Sequence, residues 1–180
     1  LLVIARINGM PLGVPRDRWG WLFALAIINI TGWMVCVGYG VANMAASRAL
    51  VIAYTMPLWA SILSIFFLGE AMTLRRAAAL AVGMGGLVIL IGAELATVSE
   101  TPVGLFFTFG AAWFWASGVT LLKRIDWRIP TLTLAGYQLL IGGLPLIVGA
   151  FLLDTSDLPA YSWKAWGSVT FLIAATSLGY

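Results

Sequence analysis

"TMPLWASILSIFFLGEAMTLRR", residues 55–76, joins an apolar run to an abrupt cluster of charge. The run closes in Gly69, Glu70 follows at once, and Arg75 and Arg76 come five and six residues later. Pro57 stands inside what reads as one continuous hydrophobic helix. Proline removes a backbone donor and kinks a helix. Membrane helices tolerate this where neighbours satisfy the freed carbonyl. The stretch is therefore expected to be a spanning helix, bent at Pro57, that ends in charge because it has reached water. Gly69 can end that helix and Thr73 can cap the next. Glu70 then lies near the positive end of the next helix dipole. It serves there either as an ordinary interfacial charge or in an ion pair or gate.

The rest of the chain supports a membrane setting. Of 180 residues, 62% are hydrophobic and 9% are charged, against about 25% charged in soluble domains. So apolar a chain cannot cover a water-facing surface, and its main partner is the lipid bilayer. The net charge of +3 gives no reason to expect nucleic acid. A single cysteine, Cys36, and no histidine leave no disulfide framework and no thiolate or imidazole metal cluster. No cofactor or metal is expected. The same absences remove the usual nucleophile–base pairs, so an enzyme is not expected.

Charge-free windows at 19–47, 49–69, 77–93, 101–122, 129–153 and 165–180 predict helices near 19–42, 47–68, 76–93, 103–122 and 131–153. A sixth starts near 165. The fold class is all-α and polytopic, since helices are the form that satisfies the backbone in lipid. The chain starts with Leu1 and closes in an apolar run at Tyr180, as expected of a fragment cut at both ends. Eight of the ten basic residues fall in the loops 1–18, 69–76 and 123–130. The loop 94–102 carries Glu94 and Glu100 and no base. Positive-inside reasoning places the basic loops in the cytoplasm of a cell-membrane protein.

Residues 19–33 and 166–180, at an offset of 147, share Trp19/Trp166, Gly20/Gly167, Leu25/Leu172 and Gly32/Gly179, with Trp33 meeting Tyr180. Five helices apart, the segments enter the membrane from opposite sides. This is the pattern of an inverted repeat, a recurrent build of secondary transporters with a midplane site.

These residues carry a resemblance. "AYTMPLWASILSIFFLGEAMTLRRAAALAVGMGGLVILIG", residues 53–92, resembles the EamA-type domain of the drug/metabolite transporter superfamily. The shared features are Pro57, the Leu68-Gly69-Glu70 ending and the glycine-rich helix with Gly83, Gly85, Gly86 and Gly92. "AAWFWASGVTLLKR" (111–124) and "GYQLLIGGLPLIVGAFLL" (136–153) resemble the first two helices of a second repeat. The residue after Glu70, often basic in that family, is Ala71 here. The resemblance implies ten helices in two inverted five-helix repeats with both termini cytoplasmic. On that scheme 1–93 is the C-terminal part of the first repeat, 94–102 an outer loop and 103–180 the N-terminal part of the second. The implied function is secondary transport of a small metabolite by alternating access. A non-transporting membrane scaffold or subunit is the alternative, and a homodimer is one assembly left open.

Polar and aromatic groups at membrane depth are the candidate pathway residues. Asn29 and Gln138 are the deepest amides and either line a cavity or bond helix to helix. Trp33, Tyr39, Trp113 and Trp115 could form an aromatic wall. Tyr54 is a further polar group at membrane depth, and Pro57 is either a fixed kink needed for packing or a hinge beside the cavity. Arg48 lies 22 residues before Glu70, about 33 Å along a helix, and fits the outer interface or the mouth of a pathway. Gly83, Gly85 and Gly86, with Ala79, are expected to pack closely against another helix. Trp19, Trp21, Trp163 and Trp166 fit interfacial belts. Sparse charge disfavours a multiply anionic substrate, which would recruit Arg or Lys, and points to a neutral or zwitterionic one, amino-acid-like or aromatic.

Overall fold

The structure, a computed structural model, describes residues 1–91 and 102–153. The expected sixth helix, the 147-residue repeat partner and the acidic loop at 94–100 lie outside these residues. Within them every regular element is helical. α1 spans Leu2–Ile7, α2 Trp19–Ala26, α3 Trp33–Asn43, α4 Ala46–Ala53, α5 Met56–Leu68, α6 Leu74–Ile91, α7 Pro102–Arg124 and α8 Thr131–Leu153. A 3₁₀ turn at Arg16–Arg18 leads into α2, and a π-helical segment at Ile27–Gly32 joins α2 to α3.

Four stretches are long and apolar enough to cross a bilayer: Arg16–Asn43, Ala46–Leu68, Pro102–Arg124 and Thr131–Ala150. Their ends agree with the helices expected from the charge-free windows. The reason is physical: only positions at the polar boundary can hold charge cheaply. α6 has 18 residues, a rise of about 27 Å, and runs to the edge of the described residues. The chain is an all-α polytopic membrane protein.

α7 is the axis of the bundle. It packs against α3, α4, α5 and the π segment, while α8 packs against α2 and the π segment. Glycines on this axis let backbones approach. A Cβ on Gly104 would fall 3.0 Å from the Asn43 carbonyl oxygen, and one on Gly40 would fall 2.5 Å from Thr108 Oγ1. Small-residue contact of this kind drives helix association in lipid, where apolar burial gives no net force between helices.

Two expectations need correction. Pro57 does not kink a continuous helix. The spanning stretch breaks at Tyr54–Thr55, and Pro57 sits in the first turn of the separate helix α5. There its missing N–H is one that no helical carbonyl would have received. At the break the Thr55 backbone N–H and hydroxyl both donate to the Ile52 carbonyl, at 3.0 and 2.7 Å. The second correction concerns Gly83, Gly85 and Gly86. A Cβ on any of them would meet nothing within 4 Å, so among the described residues this small face is open. Helical spacing makes a smooth stripe but does not say what lies on it. The close contacts belong instead to glycines of α3, α7 and α8.

Gly69 ends α5 in the left-handed region, at φ 67°, and Thr73 Oγ1 accepts the Arg76 N–H at 3.3 Å. Both features follow the pattern expected of "LGEAMT".

Candidate functional site

Irregular backbone gathers in the middle of the bundle. The π segment Ile27–Gly32 lies halfway along the 28-residue span Arg16–Asn43. π turns are rare and frequent at functional sites. Facing it, α8 carries Pro145 inside the helix. Proline there removes the bond to the Ile141 carbonyl and loosens the turn before it.

Side chains of the π segment reach into that loosened turn. Thr31 Oγ1 donates to the Gly142 carbonyl at 2.7 Å. Asn29 Nδ2 donates to Gln138 Oε1 at 3.1 Å. Two further glycines make room. A Cβ on Gly142 would fall 2.6 Å from the Ala26 carbonyl oxygen, and one on Gly118 of α7 would fall 2.5 Å from Asn29 Oδ1. That oxygen is buried and accepts no hydrogen bond. The Gly118 hydrogen that points along the missing Cβ faces it, a weak C–H contact of the kind common between closely packed helices. Gln138 is buried and Asn29 half-buried. The two deepest amides therefore bond helix to helix, which was one of the two roles open to them.

The other expected pathway residues divide by position. Trp33 is half-buried one turn beyond Asn29, and its indole N–H is buried without a partner among the described residues. Tyr39 is 52% exposed, stacks on Phe107 at 5.1 Å, and borders a shallow apolar groove of about 280 Å³ with Met34, Val35, Gly38 and Ala42. Trp115 is half-buried on α7. Trp113 meets Trp59 at 5.6 Å, and Trp59 also meets Phe109 at 4.9 Å. Of the expected aromatic wall, Tyr39 and Trp113 thus join two separate clusters, one where α3 meets α7 and one where α5 meets α7, and among the described ring contacts Trp33 and Trp115 join neither. Tyr54 and Pro57 are exposed at the α4–α5 break and Arg48 is half-buried on α4. Among the described residues α7 and α3 stand between these three and the amide pair.

Sequence reasoning missed Trp59, Gly118 and Gly142. Trp59 joins two aromatic side chains and has a buried, unpartnered indole N–H. Its position thirteen residues past the start of the span Ala46–Leu68, too deep for an interfacial belt, was the available signal. Gly118 and Gly142 gave no signal beyond being glycines.

At one end of the bundle the basic segments converge. Thr133 Oγ1 donates to the Pro11 carbonyl at 3.2 Å and Tyr137 Oη to that of Leu12 at 3.1 Å. Buried Leu22, Leu25, Trp127 and Leu134 form a core there, with Val14, Ile125 and Ile129 packed on it. Glu70 accepts from Arg76 Nη1 at 2.6 Å and lies 3.5 Å from Lys123 Nζ. The Arg76 hydrogen bond holds the Glu70 carboxyl below its ordinary value of 4.5. Partial desolvation opposes this and the Lys123 charge adds to it. Of the two roles open to Glu70, the ion pair is present.

The chain has relatives of known family. Residues 1–92 match the EamA-like transporter family. "Uncharacterized transporter YoaV" of Bacillus subtilis is 22% identical over 95% of this chain and 59% of its own length. "Uncharacterized transporter YvbV" of the same organism is 24% identical over 92% of this chain and 52% of its own. "Protein PecM" of Dickeya dadantii is 28% identical over 81% of this chain and 52% of its own. The chain thus spans between half and three fifths of the length of these relatives. No solved structure matches it. The family match covers the break at Tyr54, the Leu68-Gly69-Glu70 ending and the π segment alike, and the chain belongs to the EamA-like transporter family.

Proposed function

We propose that this chain is part of a secondary transporter that carries a neutral or zwitterionic small metabolite, amino-acid-like or aromatic, across the cell membrane. Two inverted halves alternate access to a midplane site. The observation that carries the reading is the facing pair of irregular segments, Ile27–Gly32 and the turn before Pro145, joined at mid-depth by Asn29–Gln138 and Thr31–Gly142. Helices with interrupted backbone at mid-depth are where such transporters bind substrate. On the repeat scheme the π segment belongs to the first half and α8 to the second, so these bonds cross the interface that alternating access must remodel.

The interior supports this substrate class. The buried polar side chains described are Ser61, Ser64, Thr108, Thr120, Thr133 and Gln138, all uncharged. A phosphorylated substrate would need cations at depth. Hydroxyls, amides and indole N–H groups suit a neutral or zwitterionic one. The basic end faces the cytoplasm on the positive-inside rule.

The test uses the full-length protein in proteoliposomes loaded with a panel of amino acids and neutral aromatic metabolites. Counterflow of a labelled member supports the reading. Reduction of that flow about tenfold or more by Gln138→Ala, with folding intact, ties it to the amide pair. No counterflow for any member would favour a non-transporting scaffold.

A further inference from the structure

We propose that the basic end of the bundle is a gate, shut in this structure, and that Glu70–Lys123 is its latch. This rests on the transporter reading, since a gate implies a pathway.

The shut state is visible as a plug. Leu22 and Leu25 of α2 are fully buried beneath Trp127 and Leu134, which belong to the α7–α8 turn and the start of α8. Residues 11–14 strap across this end, bonded to Thr133 and Tyr137. The groove beside Tyr39 runs along α3, in the other half of the span Arg16–Asn43. A pathway opening at the basic end must lift the α7–α8 turn from α2, carrying Trp127 off Leu22 and Leu25. That turn is stiff. Arg128 holds a left-handed backbone at φ 52°, and Trp127 Nε1 donates to the Leu122 carbonyl at 2.9 Å. It therefore moves as a unit with the end of α7, where Lys123 stands.

Lys123 is tied to the turn between α5 and α6. Glu70 is set in place by Gly69, whose left-handed cap lets the Glu70 N–H return to the Ser64 carbonyl at 3.3 Å. Its two carboxylate oxygens divide their work. Oε2 takes Arg76 from its own hairpin at 2.6 Å, and Oε1 faces Lys123 from α7 at 3.5 Å. Arg76 aims the carboxylate, and Lys123 is the part that can let go. All three side chains are between 31% and 46% exposed. Such a contact is weak enough to break in each cycle and biases the equilibrium without locking it.

The experiment reads the gate directly. In the full-length protein, with native cysteines replaced, Leu25→Cys is labelled by a charged, membrane-impermeant thiol reagent applied to the basic side. Lys123→Met and Glu70→Gln are expected to raise the labelling rate about two- to fivefold, the range a weak exposed pair can shift. Lys123→Arg, which keeps the cation, should stay near the parent. Unchanged rates in both neutral variants would overturn the latch. So would an equal rise in Lys123→Arg, which would report general loosening. Thermal melting of each variant guards against misfolding, because a latch variant melts with the parent while a misfolded one does not. Labelling does not depend on carried substrate. A labelling response without counterflow sinks the transporter reading and leaves the moving end, whereas counterflow without a labelling response sinks the latch alone.

Discussion

The Cβ that an alanine would add at Gly118 falls 2.5 Å from Asn29 Oδ1 and 2.7 Å from Asn29 Cβ and Cγ. Asn29 is already committed to Gln138, so it cannot swing aside without losing a bond at membrane depth. Gly118→Ala is therefore expected to lower the stability of the full-length protein by about 1–3 kcal/mol, the cost of overpacking. Shortening the obstacle, in Gly118→Ala with Asn29→Ala, should recover part of it. Gly83→Ala is the control. Among the described residues its Cβ would meet nothing within 4 Å, so the expected change is from none to about 1 kcal/mol of added stability, from helix propensity alone. Thermal melting in detergent compares the three. Glu70 supplies a pH prediction. Its carboxyl is depressed below 4.5, chiefly by the Arg76 hydrogen bond. A group depressed on folding adds stability above its unfolded value, and loses it as pH falls through the folded one. The latch should thus be indifferent between roughly pH 5 and 8, and Leu25→Cys labelling, expressed at each pH relative to a fully exposed cysteine because the thiolate is the reacting form, should begin to rise only below 4.5. Arg76→Met removes the main cause of the depression, so the rise should begin at higher pH. An onset that does not move would refute the assignment.

The helix 46–68 was legible as a span but not as two helices. Hydropathy is blind to the break at Tyr54–Thr55, because Thr55 satisfies the freed Ile52 carbonyl with its own N–H and hydroxyl and leaves the apolar profile unbroken. Proline drew attention to the right place for the wrong reason. It marks a first turn and not a mid-helix kink. The two readings differ in outcome. Pro57→Ala should change stability by no more than about 0.5 kcal/mol, since a first-turn proline replaces no helical bond. Thr55→Val should cost about 1 kcal/mol, the net value of a lost hydrogen bond. A large loss from Pro57→Ala would restore the kink. The π segment was equally hidden. "IINITG" has no composition that distinguishes π from α, and its register is set by what Asn29 and Thr31 meet on α8. Such long-range partners, more than a hundred residues away, are not readable from one sequence. By contrast Gly69 and Thr73 were readable, because a left-handed cap and an N-cap hydroxyl are local requirements.

The arrangement of charge was legible for the molecule as a whole, while the packing of its interior was not. Arg6, Arg16 and Arg18, Arg75 and Arg76, and Lys123, Arg124 and Arg128 stand in three separate stretches of sequence, at helix ends and the turns beside them. The fold brings these stretches to one end. Pro11 and Leu12 are bonded to α8; Val14, Ile125 and Ile129 pack against one buried cluster; and Glu70 faces Lys123. The opposite end, where Gly104 lies against Asn43 and Met44, carries Arg48 as its nearest base among the described residues. Moving cations through a bilayer is costly and retention of Lys and Arg on the cytoplasmic side sets orientation. With the cations concentrated at one end, a single orientation should dominate. In the full-length protein with native cysteines replaced, Ala45→Cys should react with an impermeant thiol reagent in intact cells. Arg128→Cys should react only when the cytoplasmic face is opened. Both positions are exposed in the structure, so access is limited by the bilayer and not by packing. Reversed labelling would place the gate and its latch on the outer face. Labelling of both sites from both sides would mean dual insertion, and would show that eight cations at one end do not suffice to orient this bundle.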